Sequence, residues 1–219
     1  MAGSISVIIC VDREIGFLAQ ALESIGKQSR PVDEVIMIIS DATPKSLASV
    51  IGGIGPQIIE RQSEPGLAAA RNQGVALSSG EVITFLDADD VWTARKTEIQ
   101  AECLNRQIQI VVGQLRRFRD PAFAGGDFPA GFFSRKHPAM TPGGMMIARR
   151  EFQRIGPFNT RYRMACDHEW FVRMRQSGIG VHQVDDVILE KRIHSENLSH
   201  DMSAYRKEIM DMLRCRGGG

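Results

Sequence analysis

The stretch Glu81-Val-Ile-Thr-Phe-Leu-Asp87-Ala-Asp89-Asp90-Val-Trp92 decides the fold, because an apolar run of strand length ends abruptly in three carboxylates. The β-branched and aromatic residues between Val82 and Leu86 predict a strand that is buried on both faces. In open α/β sheets, ligands bind beyond the carboxyl ends of the strands. The stretch therefore predicts a polar site at one edge of a central sheet.

The three carboxylates have the chemistry of a metal site. Asp87 and Asp89 would leave opposite faces of an extended backbone, but a turn that starts at Asp87 could direct both at one cation. Paired hard oxygen ligands suit Mg²⁺ or Mn²⁺ better than zinc. From this stretch alone a second interpretation stays open, in which Asp89 and Asp90 cap a helix that starts near Thr93.

Length and composition favour one domain with a substantial core. The chain has 219 residues, of which 43% are hydrophobic, and its formal net charge is only +1. No overall field therefore points to nucleic acid. The charge is uneven, however, because residues 113–163 carry 10 basic and 3 acidic side chains, or +7. This basic island would attract a diphosphate or an anionic surface, and a solvated arginine-rich loop is the alternative.

Cysteine spacing and hydropathy bear on the compartment. The four cysteines lie far apart without C-x-x-C spacing, which indicates neither a zinc knuckle nor a disulfide framework. The segment from Ser4 to Val11 is only one strand long, and no run approaches the roughly 18 apolar residues of a membrane span. We therefore expect a soluble, cytoplasmic protein.

The first third of the chain alternates strands and helices. Ile5–Val11 and Val35–Ile39 have the composition of buried strands, and the residues between them, 16–28, have helical spacing of apolar side chains. Such βαβ order predicts right-handed crossovers and a parallel sheet, so acids that follow the strands should gather at one edge. Those acids are Asp12, Asp41 and Asp87. Each of them alone would more often be a turn former or a helix cap.

An alanine-rich segment, Gly66-Leu-Ala-Ala-Ala-Arg71-Asn72-Gln-Gly74, predicts a further helix. Arg71 lies near its start, below the sheet edge that carries the acids. A surface arginine paired with a neighbouring acid and a functional arginine in the site are equally compatible with the sequence.

These motifs together resemble the family 2 glycosyltransferases of the GT-A fold. The order and spacing of the first strand, Ser40-Asp41, the Gly66–Gly74 segment and Phe85–Asp90 match over about the first 100 residues. The resemblance implies a single α/β GT-A (Rossmann-like) domain, with a mainly parallel central sheet flanked by helices. It also implies a nucleotide-diphosphate sugar, with a UDP-sugar as the first candidate, and Mn²⁺ or Mg²⁺ as cofactor.

The resemblance assigns roles residue by residue. Asp89 would ligate the cation, with His194, in Arg192-Ile-His194-Ser-Glu-Asn197, reaching the metal or the diphosphate. The implied nucleotide-sugar site consists of Val11, Asp12, Asp41, Arg71, Asp87 and Ala88. Two departures are visible: Asp12-Arg13 stands where an aromatic–asparagine pair is frequent, and Ser40-Asp41 where two acids are usual.

The second half of the resemblance supplies a catalytic group. Cys166-Asp167-His-Glu-Trp170 predicts the start of a helix, and Asp167 matches the acid that faces the acceptor, so it would be the general base of an inverting transfer. Cys166 stands where the family often has a second acid. The alternative for Asp167 is a helix N-cap.

The remaining elements are predicted from periodicity. We expect a helix over 92–107, a strand over 108–112, strands over 142–148 and 187–190, and an amphipathic tail over 200–219. Residues 115–142 combine arginines and glycines with Phe123, Phe128, Phe132 and Phe133, without periodicity, which predicts a long flexible loop. We interpret it as an acceptor loop with peripheral membrane contact as a further role, while a local aromatic core is the alternative.

The predicted organisation is one glycosyltransferase domain over residues 1–219. Residues 1–112 form the nucleotide-sugar-binding half and residues 113–199 the acceptor half. The acceptor is undefined among a glycan, a lipid-linked sugar, a peptide and a small molecule. Two rival functions remain at this point: a nucleotidyltransferase, which lacks support because no lysine-bearing glycine-rich loop follows the first strand, and a non-catalytic nucleotide- or carbohydrate-binding module.

Overall fold

The computed structural model describes residues 3–13, 15–51, 57–195, 197 and 202–216. The sequence also predicts a short helix over residues 45–54; its end, and parts of the 200–219 tail, lie outside the described residues. The strands are β1 Ile5–Val11, β2 Glu34–Ile39, β3 Ile58–Arg61, β4 Val82–Asp87, β5 Val91–Trp92, β6 Ile110–Arg119, β7 Lys136–Pro138, β8 Met145–Ala148 and β9 Val181–Ile193. The helices are α1 Leu18–Gly26, α2 Leu47–Ile51, α3 Leu67–Leu77, α4 Lys96–Cys103, α5 Arg149–Ile155, α6 Cys166–Gln176 and α7 Met202–Arg216.

All of the described strands belong to one mixed sheet. Eight of them follow the order β3-β2-β1-β4-β8-β6-β9-β5, and β7 pairs with β6. The predicted parallel βαβ half is present, since β1 pairs in parallel with both β2 and β4. The prediction of a mainly parallel sheet is only partly correct, because β8 runs antiparallel to both β4 and β6. The chain passes from β6 through β7 to β8 without the helical crossover that usually connects neighbouring parallel strands.

Helices cover both faces of the sheet, and the alternation of side chains along β1 shows why. Ile8 contributes to one core cluster, together with residues of α3, α5, α6 and α7. Val7 and Ile9 point to the other face and pack in a second cluster with residues of α1 and α2. A strand that is apolar at every position therefore lies between two helical layers, as the sequence pattern predicts.

Several predicted boundaries in the second half are wrong. The predicted strand over 108–112 continues as β6 to Arg119, and the predicted strand over 187–190 is part of the 13-residue β9. These two strands pair in parallel from Ile110 to Arg119. Backbone pairing with a distant strand stabilises the arginine-rich end of β6, and no local pattern records that pairing.

Three further elements differ from the predictions. The predicted helix over 92–107 is shorter, because residues 91–92 form β5 with β9 and α4 begins at Lys96. The predicted strand over 142–148 begins only at Met145, after a 3₁₀ turn over Pro142–Gly144. The expected amphipathic tail is the helix α7, of which Met212 is buried.

The predicted loop over 115–142 is shorter than expected and contains an aromatic cluster. Phe128, Phe132 and Phe133 contact one another, with ring centroids 4.7 to 5.0 Å apart. The guanidinium carbons of Arg117 and Arg119 lie 4.8 and 5.0 Å from the ring centroids of Phe132 and Phe128. The three rings thus form a local aromatic cluster, but they are only half-buried. Among the described residues, no helix has both the length and the apolar composition needed to cross a bilayer.

One buried lysine lies between the sheet and α4. Lys96 is completely buried, and its Nζ lies 2.8 Å from Thr84 Oγ1 and 2.7 Å from Gln100 Oε1. The two N–H groups of a neutral amine satisfy both of these acceptors. Burial holds the pKa of Lys96 well below its ordinary value. The Trp92 ring, 4.2 Å away, favours the charged form, but such a contact is worth only about 2 kcal/mol.

This burial predicts a specific pH dependence of stability. Between the lowered pKa of folded Lys96 and its ordinary value of 10.5, the unfolded chain binds a proton that the folded chain does not. The contribution of Lys96 to the free energy of unfolding therefore rises with pH, by at most about 1.4 kcal/mol per pH unit. In urea unfolding from about pH 7 to about pH 9.5, the difference between parent and Lys96→Met should grow in favour of the parent.

The matched control is Lys27→Met, since Lys27 is largely exposed beside Glu23. Its difference from the parent should stay constant across the same range. A constant difference for Lys96→Met as well would show that Lys96 keeps its proton in the folded protein.

Candidate functional site

The carboxyl ends of β1, β2 and β4 form one edge of the sheet, and the predicted acids lie there. Ser40 Oγ donates a 2.7 Å hydrogen bond to Asp12 Oδ1, which joins the ends of β2 and β1. Asp41 is 94% exposed and forms an ion pair of 3.2 Å with Arg61. Asp87, at the end of β4, is only partly exposed. The nucleotide-binding roles of these acids stay predictions.

Two apolar members of the predicted nucleotide site lie at the same edge. Val11 ends β1 with a buried side chain, and its carbonyl oxygen accepts hydrogen bonds of 2.9 Å from Ser40 N and 3.0 Å from Thr43 Oγ1. This carbonyl oxygen thus joins the ends of β1 and β2. Ala88 lies half-buried in the turn between Asp87 and Asp89.

Arg71 is the central residue of the site. Its side chain is only 2% exposed, so the alternative of a surface arginine is wrong. The helix α3 packs closely against the sheet at Gly74. A Cβ atom added to Gly74 would lie only 2.5 Å from Ile8 Cγ2, which leaves no room for a larger residue. This close packing lets Arg71, on the second turn of α3, reach the carboxyl edge of the sheet. Its Nη2 lies 2.8 Å from Asp87 Oδ1, and its Nη1 donates a close hydrogen bond to Asp167 Oδ1.

Arg71 therefore joins two carboxylates that are 80 residues apart in the chain, Asp87 at the end of β4 and Asp167 in α6. One guanidinium can serve both acids because its N–H groups point in fixed, separate directions. The predicted donor half and acceptor half thus meet at a buried ionic bridge.

Asn72 reinforces this junction, a role that the sequence analysis did not predict. Its Nδ2 donates a 2.9 Å hydrogen bond to Phe158 O, and its Oδ1 accepts a 2.8 Å bond from Phe158 N. The Asn72 side chain thus satisfies both backbone groups of Phe158, as a neighbouring strand would, in the connection that leads into α6. Only the adjacency of Asn72 to Arg71 could have indicated it.

Asp167 occupies the first turn of α6 and does not cap it. The helix begins at Cys166, and the preceding Ala165 provides no side-chain cap, so the N-cap alternative is wrong. Burial raises the pKa of Asp167 above its ordinary value, while the charge of Arg71 acts in the opposite direction. A carboxylate with a raised pKa accepts a proton more readily, as a general base must.

The acidic cluster after β4 has the geometry expected of a cation site. One oxygen from each of Asp87, Asp89 and Asp90 lies within 4.8 Å of the others. The predicted turn is present, since Asp90 N donates a 3.1 Å hydrogen bond to Asp87 O. The helix-cap alternative is wrong, because α4 begins at Lys96 and its N-cap residue, Arg95, makes no side-chain cap. The side chains of Asp87 and Asp89 are each 27% exposed, whereas that of Asp90 is 1% exposed.

Asp90 is held by β9. Its Oδ1 accepts a 2.9 Å hydrogen bond from Arg192 N, and its Oδ2 lies 3.2 Å from Lys191 Nζ. Burial, together with the neighbouring acids, raises the pKa of Asp90 to about 7, although Lys191 opposes the shift. Asp90 therefore ties the acidic turn to the end of β9.

Asp89 contacts the residues that follow β9. Its Oδ2 lies 3.0 Å from His194 Nε2 and 3.3 Å from Asn197 Nδ2. Burial acts to raise the pKa of Asp89, but the hydrogen bond from His194 and the charge of Lys191 outweigh it, so the net pKa is lowered. The structure thus brings together the two residues predicted as metal ligands. Their role as ligands stays a prediction.

Arg192 was missed as a structural residue of this site. It is buried, its Nε donates a 3.0 Å hydrogen bond to Asp89 O, and its Nη1 lies 3.2 Å from Asp120 Oδ2. Its guanidinium carbon lies 4.3 Å from the ring centroid of Phe17 and 4.6 Å from that of Phe118. The Arg-x-His spacing of residues 192–194 marked this segment in the sequence, but it indicated a role only for His194.

Comparison with known proteins identifies the family. The model of "Glycosyl transferase family 2" matches residues 6–173, which contain both the acidic turn and Asp167. The chain belongs to glycosyltransferase family 2, which confirms the resemblance seen in the sequence motifs.

Individual relatives show how the chain compares in length. It is 26% identical over 242 aligned positions to the uncharacterized glycosyltransferase YwdF of Bacillus subtilis, covering 98% of this chain and 84% of that protein. It is 36% identical over 100 positions to an uncharacterized glycosyltransferase of Rickettsia bellii, covering 44% of this chain. The aligned region spans only 14% of the Rickettsia protein, and the corresponding alignments span between 30% and 36% of three other relatives.

Solved structures confirm the fold. The S. aureus TarS 1–349 structure in complex with UDP-GlcNAc superposes with a TM-score of 0.68 at 14% sequence identity, covering 90% of this chain and 61% of that one. The complex of the same TarS fragment with UDP superposes with a TM-score of 0.66, covering 87% and 60%. The mixed α/β sheet therefore has the same fold as these TarS structures.

The buried bridge predicts a large effect on stability. Arg71→Met keeps an apolar side chain in place but leaves Asp87 and Asp167 without their shared cation. We expect a loss of about 3–5 kcal/mol in the free energy of unfolding, measured by urea denaturation. Acidification should recover part of the loss, because protonation of the carboxylates removes their repulsion.

Arg61→Met is the matched control, since the Arg61–Asp41 pair is exposed. Its cost should stay below about 1 kcal/mol. Equal effects of the two substitutions would mean that the Arg71 bridge contributes no more than a surface ion pair.

Proposed function

We propose that the protein is an inverting, metal-dependent glycosyltransferase that moves a sugar from a nucleotide-diphosphate sugar to a nucleophile of an acceptor. The observation that carries this proposal is the Arg71 bridge, which brings Asp167 to the same edge of the sheet as Asp87. A transferase needs a base close to the bond that breaks. Family membership provides the reaction class.

The donor is proposed to lie along the carboxyl edge of β1, β2 and β4. Asp12 and Asp41 present carboxylates there that can accept hydrogen bonds from a base or a ribose. A UDP-sugar is the first candidate, because the structurally similar S. aureus TarS fragment was solved with UDP and with UDP-GlcNAc. The low sequence identity leaves the choice of base and sugar to experiment.

The acidic turn fits a divalent cation, either Mn²⁺ or Mg²⁺. Asp87 and Asp89 provide hard oxygen atoms that are partly open to solvent, and His194 lies beside Asp89. The buried Asp90 carboxylate pairs with Lys191, so it would hold the turn in place without contacting the cation. A bound cation would neutralise charge on the departing diphosphate.

Asp167 is the proposed general base. Its carboxylate would accept the proton of the acceptor nucleophile as that atom attacks the anomeric carbon opposite the diphosphate. Arg71 restrains one carboxylate oxygen of Asp167, which fixes the direction of the other. Burial raises the pKa of Asp167, which makes proton acceptance easier, while the charge of Arg71 favours the ionised form.

The loop between β6 and β7, over residues 120–135, is proposed to face the acceptor. Arg119 ends β6, and Asp120 N donates a 3.0 Å hydrogen bond to Ile193 O, directly before His194. The loop that contains Phe128, Phe132 and Phe133 therefore begins close to the metal-binding residues. Stacked rings and arginines suit a sugar-bearing acceptor or contact with an anionic membrane at the cytoplasmic face.

The base assignment predicts a loss of turnover without a loss of donor affinity. Asp167→Asn keeps the oxygen that accepts from Arg71 but removes the basic group, so the transfer rate should fall roughly 10²–10⁴-fold. The dissociation constant of the nucleotide sugar, measured calorimetrically with Mn²⁺, should stay unchanged. His168→Asn, at the exposed neighbouring position, is the control and should transfer at the parental rate.

Parental turnover by Asp167→Asn would remove Asp167 from the mechanism. If the parent neither transfers nor hydrolyses any nucleotide sugar in a panel but still binds one, the protein is a binding module. Turnover of nucleoside triphosphates in the same panel would instead indicate nucleotidyl transfer.

The metal assignment predicts a loss of metal-dependent donor binding. Asp89→Asn removes one charge from the proposed cation site, so Mn²⁺ should no longer strengthen donor binding by more than about twofold. Thermal-shift titrations of the nucleotide sugar with and without Mn²⁺ measure this effect. Glu102→Gln, on the exposed side of α4, should behave like the parent, and retained metal dependence in Asp89→Asn would exclude Asp89 as a ligand.

A further inference from the structure

A side chain from a distant helix, α7, holds the turn that leads into α6. Three consecutive backbone amides, those of residues 163, 164 and 165, donate hydrogen bonds of 3.0, 2.8 and 2.8 Å to the carboxylate of Glu208 in α7. Arg163 N binds Oε1, while Met164 N and Ala165 N share Oε2. Both oxygen atoms of one side chain are thus committed to the turn that precedes Asp167.

This contact answers a specific need of α6. The first N–H groups of a helix and the turn before it have no intrahelical partners, and a cap is normally provided by a nearby Ser, Thr, Asp or Asn. Ala165 cannot provide one. The negative charge of Glu208 also lies at the positive end of the α6 dipole. The carboxylate therefore supplies what the local sequence lacks.

The helix α7 is docked so that this contact is maintained. Met212 is buried, and Tyr205 and Ile209 pack partly buried against the core cluster that includes Trp170 and Phe171 of α6. Residues 205, 208, 209 and 212 share one face of a helix. Glu208 is thus aligned with the apolar face that holds α7 in place. Burial raises the pKa of Tyr205 on the same face, and the charge of Asp167 adds to that shift.

We propose that Glu208 is a positioning residue for Asp167, and that α7 is part of the active site. The proposal rests on the proposed function of Asp167 as the base. Arg71 restrains the carboxylate end of Asp167, and Glu208 fixes the backbone that carries it. Without Glu208 the turn over residues 163–165, which leads into α6, loses its hydrogen-bond partner, and Asp167, two residues further on, moves relative to the donor edge. Displacement of a catalytic group by about 1 Å can cost roughly 10²-fold in rate.

The test uses Glu208→Gln, which preserves shape but places an NH₂ group against backbone N–H donors. We expect kcat to fall about 10- to 100-fold while the dissociation constant of the donor changes less than about twofold. Hydrogen exchange of the amides of residues 163–165 should become at least about tenfold faster, which reports the lost cap without reference to activity. Circular dichroism should show the parental secondary structure at the assay temperature.

Two controls separate positioning from general stabilisation. Asp211→Asn alters another acid of α7, one that pairs with Arg214 at 3.7 Å, and should keep the parental kcat and exchange rates. In the Asp167→Asn background, adding Glu208→Gln should change the residual rate less than about twofold, because the residue through which Glu208 acts is already disabled. A residue that merely stabilises the fold would lower the rate in both backgrounds.

The outcomes distinguish this inference from the proposed function. If the parent is active and Glu208→Gln keeps the parental kcat, or loses activity equally in the Asp167→Asn background, the positioning role is wrong and the proposed function stands. Unchanged exchange of the amides of residues 163–165 would also overturn the inference. If the parent transfers no sugar, the proposed function fails, and the positioning role fails with it.

Discussion

A single buried guanidinium holds the two halves of this protein in one functional arrangement. Arg71 is enclosed between α3 and the sheet, and it contacts Asp87 at the end of β4 and Asp167 at the start of α6. A buried arginine without such partners would be strongly unfavourable, and each partly buried carboxylate would lose its neutralising cation. The three residues are therefore stable together and unstable separately. This mutual dependence places the second half of the chain over the carboxyl edge of the first.

The surrounding structure serves the same junction. Gly74 lets α3 approach β1 closely enough for Arg71 to reach the edge, and Asn72 holds the connection that leads into α6. From the other side, Lys191 and Arg192 of β9 hold Asp90 and the backbone of the acidic turn. Residues of β9 thus fix the buried side of the turn, while the partly exposed carboxylates of Asp87 and Asp89 remain available to a ligand. Rigid support of this kind is what a preorganised site requires.

The sequence predicts the first half of the fold well because its strands and helices are locally determined. Ile5–Val11 is apolar at every position, and only a strand covered on both faces accommodates that pattern. The second half depends on long-range pairing. The end of β6, with Arg116 to Arg119, has no strand signal of its own and is ordered by β9, about 70 residues later. The same limit explains the length of β9 and the antiparallel position of β8.

The candidate site, like the fold, could be predicted from the sequence only in part. The acidic turn could be predicted because strand-end carboxylates carry a direct chemical signal, and the family motifs indicated Asp167 and His194. Burial could not be predicted: the sequence left Arg71 equally compatible with a surface position, and it left Asp167 as a candidate N-cap. The supporting residues Asn72, Arg192 and Glu208 were missed, because each acts on backbone groups that only the folded chain brings near.

The central claim is that Asp167, held by Arg71 beside the donor edge, acts as the base of a single displacement. The most direct measurement is the anomeric configuration of the first-formed product, followed by proton NMR as the protein turns over its nucleotide sugar with Mn²⁺. A single displacement predicts a product whose configuration at the anomeric carbon is opposite to that of the donor. A product that retains the donor configuration would contradict the account.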